Sequence, residues 1–341
     1  VLLWILLLGF LLPASVAADA GTEAADCEEE APLSRAAAEL LLQPGTPTSE
    51  ALTRAVREAG SDLVGVRAFL AGSGQQRELS AWLSHFSDGA DARVVCGSAQ
   101  SAAGRLLLVA ARAGSLEPIA RGAARIRGQV AEGFADPELV VADGDGELQR
   151  FAIDRAALAR GVDISSELVL PARVQLVARG RLGPRPIAER VIAARESGGV
   201  TTFDDAALPE SPGATISQRL DALRGSSERP ALRDNAMLAR VATAHARAVC
   251  ARGLVAHELA PGGDPKQRLA AAGVSARRVG ETVARAQSAA AAFAAFEHSP
   301  SHRLTLLEPD FTDVGIGEAT DRRDHTCVVV LLAAWPRFVG R

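Results

Sequence analysis

Ser299-Pro300-Ser301-His302-Arg303, followed by Phe311-Thr312-Asp313-Val314-Gly315-Ile316-Gly317, decides how this chain is read. Proline at the first helical position gives up an N–H that the first turn cannot pair, and a preceding serine can cap the remaining amides. Ser299-Pro300 therefore reads as a helix start, with Ser299 as the cap. The second stretch reads as a strand, and Cys327-Val328-Val329-Val330-Leu331-Leu332 as its hairpin partner across a polar turn. Upstream stand a lone His257 and a Gly280-Glu281 step.

The segments around these markers alternate between helices and sparse strands. Ile216–Arg224 reads as a helix ending at Gly225. Asp234 is the expected cap of the next helix, whose apolar stripe is Leu238, Val241, Ala242, His245 and Val249, with Gly253 as its left-handed stop. Pro265 opens a third helix that closes before Gly273. Val279–Val283 is a short strand, and Gln287–Glu297 an alanine-rich helix. A sheet covered by helices, an α-β-α sandwich, is expected over residues 214–341.

In order and spacing, Leu238, His257, Arg268, Gly280-Glu281, Ser299-Pro300, His302-Arg303, Phe311 and Gly315/Gly317 resemble the CAP superfamily of cysteine-rich secretory, antigen 5 and pathogenesis-related proteins, in its bacterial, SCP-like form. The resemblance covers about 214–335. It implies a shallow central cleft in which two histidines and acidic residues gather. His257 then stands as the first histidine, Glu281 as the acid and His302 as the second histidine. Thr282 stands where the family usually has asparagine, and Phe296 where it has tryptophan before Ser-Pro. A second cleft glutamate lacks a clear counterpart, Glu297 being the nearest.

Two imidazoles and a carboxylate suit a divalent metal such as zinc, held through His257 and His302. Without metal, the carboxylate orients a histidine. Two functions follow. One is a binding module whose polar cleft takes a lipid, a peptide or another small apolar or envelope ligand. The other is a metal-dependent hydrolase or peptidase using His257, His302 and Glu281. A scaffold role in the envelope, carried by the β-rich middle, is a third. Ser299 or Ser301 beside His302 could mimic a nucleophile and base, but Ser-Pro-Ser-His is more simply a helix start. Gly-x-Ser-x-Gly, His-Glu-x-x-His and phosphate-loop motifs are absent from the sequence. Of the other histidines, His245 reads as a core-edge residue, His298 as surface and His325 as part of a solvated hairpin turn.

The chain is expected to be α+β throughout. Residues 28–115 read as a helix-plus-hairpin region: helices over Leu33–Leu42, Ser49–Leu70 and Arg77–Phe86, a break at Gly72–Gln75, then a hairpin over Arg93–Ala111. That ending echoes the C-terminal one, so the region is either a degenerate CAP-like unit or a generic helix-plus-hairpin domain. Residues 128–195 offer short strands at Leu139–Val141, Leu148–Ile153, Leu168–Leu170, Val174–Ala178 and Ile187–Ala193, an immunoglobulin-like sandwich pattern. Asp143-Gly144-Asp145-Gly146 is a hairpin turn, too short for a calcium loop. Residues 196–213 read as a linker.

Residues 1–20, apolar to Leu12 and then Pro13 and small residues, are expected to be a signal peptide. No transmembrane segment is expected in the mature chain. Secretion, or retention in the periplasm or cell envelope, follows. Four cysteines allow three pairings, of which Cys27–Cys96 and Cys250–Cys327 are favoured, one within each end. Net charge is −4 and no basic block occurs, so nucleic acid is not the expected partner. Only 4% of residues are aromatic and none is tyrosine, so the cores must be built from Leu, Val and Ala. Arginine greatly outnumbers lysine, which with abundant alanine suggests a bacterial coding sequence.

Overall fold

The computed structural model describes residues 27–336 apart from 44, 46, 73–75, 90–91, 102–103, 120–124, 165–167 and 194–212. The expected signal peptide and nearly all of the expected linker lie outside the described residues.

The first unit runs β1 (Glu28–Glu29), α1 (Ala31–Leu40), α2 (Ser49–Glu58), β2 (Arg67–Ala71), α3 (Gln76–Gly89), β3 (Arg93–Ser101) and β4 (Gly104–Arg112). Its sheet has the order β1-β3-β4-β2, with β1 parallel to β3 and the other pairs antiparallel. Period-2 alternation sends Val95, Leu106, Leu108 and Ala110 to α1 and α2, while Cys96, Leu107 and Val109 face α3. The helix expected over Ser49–Leu70 is shorter. It is capped by Thr48 and stops at Glu58, and Gly60 and Gly65 follow with φ of +80° and +65°. The rest pairs as β2 with β4. The apolar spacing of Leu63 and Val66 fits a helix, but these glycines in the left-handed region break it.

The second unit comprises β5 (Gly114–Leu116), β6 (Arg125–Ile126), β7 (Gly128–Val130), β8 (Ala135–Ala142), β9 (Leu148–Ala152), α4 (Arg155–Arg160), β10 (Val162–Asp163), β11 (Ala172–Gly180) and β12 (Gly183–Ile192). One four-stranded antiparallel sheet, β12-β11-β8-β9, is accompanied by the ribbons β5-β7 and β10-β6. Leu168–Leu170 is not a strand; Leu168 and Leu170 instead pack on this unit's core as loop residues. Asp143 Oδ1 accepts the Asp145 and Glu147 amides at 3.1 and 2.9 Å, which makes the expected turn between β8 and β9.

The third unit runs α5 (Ile216–Ser226), β13 (Arg233–Asp234), α6 (Ala236–Arg252), α7 (Pro265–Ala271), β14 (Arg278–Ala286), α8 (Ala289–Glu297), α9 (Pro300–Leu306), β15 (Asp313–Thr320) and β16 (Thr326–Ala334). The cap of α6 is Asn235, one residue after the expected Asp234; its carboxamide oxygen accepts the Met237 and Leu238 amides. Strand order is β13-β15-β16-β14. Val329, Leu331 and Ala333 face α6, while Val328, Val330, Leu332 and Ala334 face α5, α8 and α9. Gly315 and Gly317 let α6 lie directly on β15. A Cβ on either would sit 2.1–2.6 Å from backbone atoms of Leu238, Ala239, Ala242 or Thr243. The whole is α+β, with helices on both faces of this last sheet.

Both favoured disulfides are formed, Cys27–Cys96 and Cys250–Cys327. Among the described residues no helix is long and apolar enough to cross a membrane.

Candidate functional site

Strand β14 delivers Glu281 into the layer between the sheet and α6. Its side chain is 1% exposed. Gly280 beside it is required by close packing, because a Cβ there would lie 2.6 Å from the Phe311 ring. The Glu281 carboxylate spends both oxygens inside the protein. Oε1 meets His257 Nδ1 at 3.0 Å, and Oε2 accepts from the Arg268 guanidinium. Arg268 also donates to the carbonyls of His257 at 2.8 Å and Gly263 at 2.6 Å. One arginine on α7 thus ties the acid to the loop that carries the histidine.

Burial would push the Glu281 carboxyl up. The hydrogen bond from His257 and the charges of His257, Arg268 and His245 override it and hold the group below the ordinary carboxylate value. His245 completes the network from α6. Its Nε2 lies 2.8 Å from the Ala256 carbonyl and 3.8 Å from Glu281 Oε1. Burial depresses the His245 pKa, with Glu281 opposing. The helical stripe hid this role, since a histidine at a core position reads as core. Arg268 stood among the family-like residues without a role, because nothing local says where its guanidinium reaches.

His302 lies on α9 against Phe296, ring centroids 5.3 Å apart. It is half-buried and its Nδ1 has no hydrogen-bond partner. Desolvation, then the nearby His257 charge, pushes its pKa down to about 3, so the ring is neutral at physiological pH. His257 and His302 therefore sense one another, but the acid belongs to His257 alone. Ser299 precedes α9 as expected, yet its hydroxyl makes no capping bond. It meets the Gln175 side chain at 3.2 Å and the Ser301 hydroxyl at 3.3 Å. Glu297 is 8% exposed, and desolvation raises its pKa against the opposing charges of Arg219 and Arg303. His325 is 32% exposed at its side chain and faces Arg285 and Asp321 rather than bulk water alone.

These residues do not present three protein ligands to a metal. Glu281 is consumed by Arg268 and His257, which leaves two imidazoles, and among the described residues no three or more His, Cys, Asp and Glu side chains gather in a metal-holding group.

Residues 218–332 match the model of the cysteine-rich secretory protein family, CAP, and this third unit is a CAP domain. No curated protein matches the chain. Solved structures similar to it include an outer surface protein of Borrelia burgdorferi, at 22% identity over 36% of this chain and 90% of that one, TM-score 0.34. An extracellular protein containing an SCP domain from Bacillus anthracis is 16% identical over 64% and 88%, TM-score 0.33. A cysteine-rich secretory protein of Staphylococcus aureus is 14% identical over 55% and 64%, TM-score 0.27; this chain spans less than two thirds of it.

Proposed function

We propose that the chain is an exported binding protein whose CAP domain grips one polar end of a ligand between the His257 loop and the Ser299–His302 turn. The observation that carries this reading is the consumption of both Glu281 oxygens by Arg268 and His257. A general base for hydrolysis must reach a water or a metal-bound water. Here the acid is buried and ion-paired, so its role is to fix the ring of His257 and turn the other ring nitrogen outward. A neutral His302 beside it suits hydrogen bonding without charge. The hydrolase alternative requires Glu281 to leave both Arg268 and His257, and for that reason it is the weaker reading. Two disulfides support export, since such bonds persist in oxidising compartments.

We infer that the first unit is a copy of the CAP scaffold without the site. Its strand order and its first parallel pair are those of the CAP sheet.

The test compares the full chain with a His257→Ala/His302→Ala variant against three probes: phosphatidylglycerol vesicles, a soluble peptidoglycan fragment and a synthetic peptide. At least one probe binds the wild type and is lost by the variant. Equal behaviour of the two proteins toward all three overturns the binding reading. Zinc titration of the same pair addresses the rival: stoichiometric zinc uptake that disappears in the variant would favour the hydrolase.

A further inference from the structure

We propose that the CAP cleft is a polypeptide site held in cis by this chain's own turn between β11 and β12, Arg181-Leu182, which another ligand must displace. This rests on the binding reading and adds a ligand class and a gate.

The turn reaches the cleft through the main chain first. The consecutive amides of His257 and Glu258 both donate to the Leu182 carbonyl, at 3.0 and 3.1 Å. Two neighbouring N–H groups aimed at one oxygen recognise a peptide backbone whatever its sequence. The Leu182 side chain is 5% exposed and belongs to the apolar core of the CAP domain, with Ala256 and Leu259, rather than to the core of its own unit. Gly183 follows at φ +95°, where a Cβ would stand 2.8 Å from the Cβ of His257. Only glycine lets the turn lie this close to the histidine. Arg179 then clamps Glu258 in an ion pair.

Further along β11 the same strand meets the opposite lip. Gln175 binds the Ser299 hydroxyl and accepts the Ser301 amide at 3.0 Å, and Arg173 donates to the His298 carbonyl. One strand therefore spans both candidate lips, the His257 loop and the turn that opens α9.

The hold at the His257 end is modest. It consists of two main-chain hydrogen bonds, one leucine, and an ion pair whose side chains are 48% and 30% exposed. In water the main-chain hydrogen bonds exchange against bonds to solvent, and the half-exposed ion pair is screened, so each adds little to the hold. A competing turn with a leucine beside a glycine replaces them group for group, and the tether of the cis turn sets how far the balance favours the closed state.

The experiment uses the full chain as wild type, Leu182→Asp and Arg179→Ala. The probe is a cyclised peptide spanning 178–185, Ala-Arg-Gly-Arg-Leu-Gly-Pro-Arg, with a control carrying aspartate in place of the leucine. Two readouts are taken: hydrogen exchange at the His257 and Glu258 amides, and peptide affinity. Leu182→Asp is expected to speed exchange at both amides by about tenfold or more and to bind the leucine peptide about tenfold more tightly than wild type, as removal of a closed state requires. Arg179→Ala, which keeps the leucine in place, moves both readouts the same way by less and guards against a misfolded first variant. Unchanged exchange and equal affinity in both variants overturn the gate. Fast exchange with no binding of the leucine peptide overturns the polypeptide class. If none of the vesicles, the peptidoglycan fragment or the peptide binds even the opened variant, it is the binding reading that fails.

Discussion

The first and third units have separate sheets of corresponding strand order and differ in what they bury in them. Both run a two-residue strand parallel to the first arm of a hairpin, with a further strand antiparallel to the second arm. Both press a helix onto a glycine of that first arm. A Cβ on Gly97 would meet Ser34 and Leu33 at 2.2–2.5 Å, and one on Gly315 would meet Ala239 and Leu238 at 2.1–2.4 Å. Each sheet also has one disulfide anchored in a hairpin strand, Cys96 in β3 and Cys327 in β16. The register separates them. Gly97 pairs with Leu108 and Gly315 with Leu331; across the next strand, Leu108 faces Ala68 where Leu331 faces Glu281. Two residues past the shared glycine the first unit has Ala99, where the third has Gly317 packed under α6. The helix there is 10 residues long rather than 17, so it has left the sheet sooner. A sheet of this strand order stands in the first unit with alanine where the third unit has its acid.

Removing the acid is the largest perturbation this comparison suggests. Glu281→Ala leaves Arg268, 9% exposed at its side chain, and His257 without their carboxylate. Loss of one partner from a buried ion pair costs about 3–5 kcal/mol. Urea unfolding of the wild type and the variant measures it. Adding Arg268→Leu should recover part of the loss, because it removes the buried charge left without its partner and leaves an apolar pair like the one the first unit has at the Ala68 position. A double variant as unstable as the single would break the equivalence of the two sheets.

The glycines come next. Gly97→Ala and Gly315→Ala each push a helix off a strand, and overpacking of this kind costs about 1–3 kcal/mol. Similar losses in thermal unfolding are expected from the two, since the clashing atoms are the same backbone positions of α1 and α6. A neutral Gly97→Ala would mean that the first unit's helix is loosely held and only superficially similar.

What could be read in advance follows the same division. The CAP scaffold was legible because its constraints are local: Gly315 and Gly317 under a helix, Gly280 under Phe311, Pro265 and Pro300 at helix starts. The family resemblance groups His257, Glu281 and His302, and the structure puts the first two 3.0 Å apart. His302 was placed in the same trio, but it keeps its own environment, against Phe296 and without a partner for Nδ1. Arg268 and His245 were not assigned because their roles depend on where a long side chain reaches and on which helix face meets a strand. The extension of α2 to Leu70 followed an apolar rhythm that runs unbroken through Gly60 and Gly65, where only backbone conformation ends it. Contact of β11 and its turn with the His257 loop and with the turn that opens α9 has no local signal at all. It is a docking of two units, and Leu182 looks in sequence like any apolar residue in a hairpin.

The smallest effect per pH unit separates the two histidines of the site. His302 is neutral in the folded chain, with its pKa moved from 6.5 to about 3 by burial first and by His257 second. The unfolded chain binds a proton below about 6.5 and the folded chain does not until about 3, so the unfolded state gains protons across that window. Stability is therefore greatest above 6.5 and declines as pH falls, by at most about 1.4 kcal/mol per pH unit for one group. His302→Gln keeps a polar side chain of similar reach and removes the titration. Between pH 6.5 and 4 its unfolding free energy should fall less steeply than that of the wild type. His245, also depressed by burial, keeps contributing to the slope that remains in both proteins. Glu281 acts only lower down. Its depressed pKa supplies stability above the ordinary carboxylate range, which is lost as pH falls through that range and below it. A His302→Gln profile parallel to wild type above pH 4 would leave His302 as well solvated in the folded chain as in the unfolded one, and the contrast between a desolvated neutral histidine and an acid-bound one would disappear.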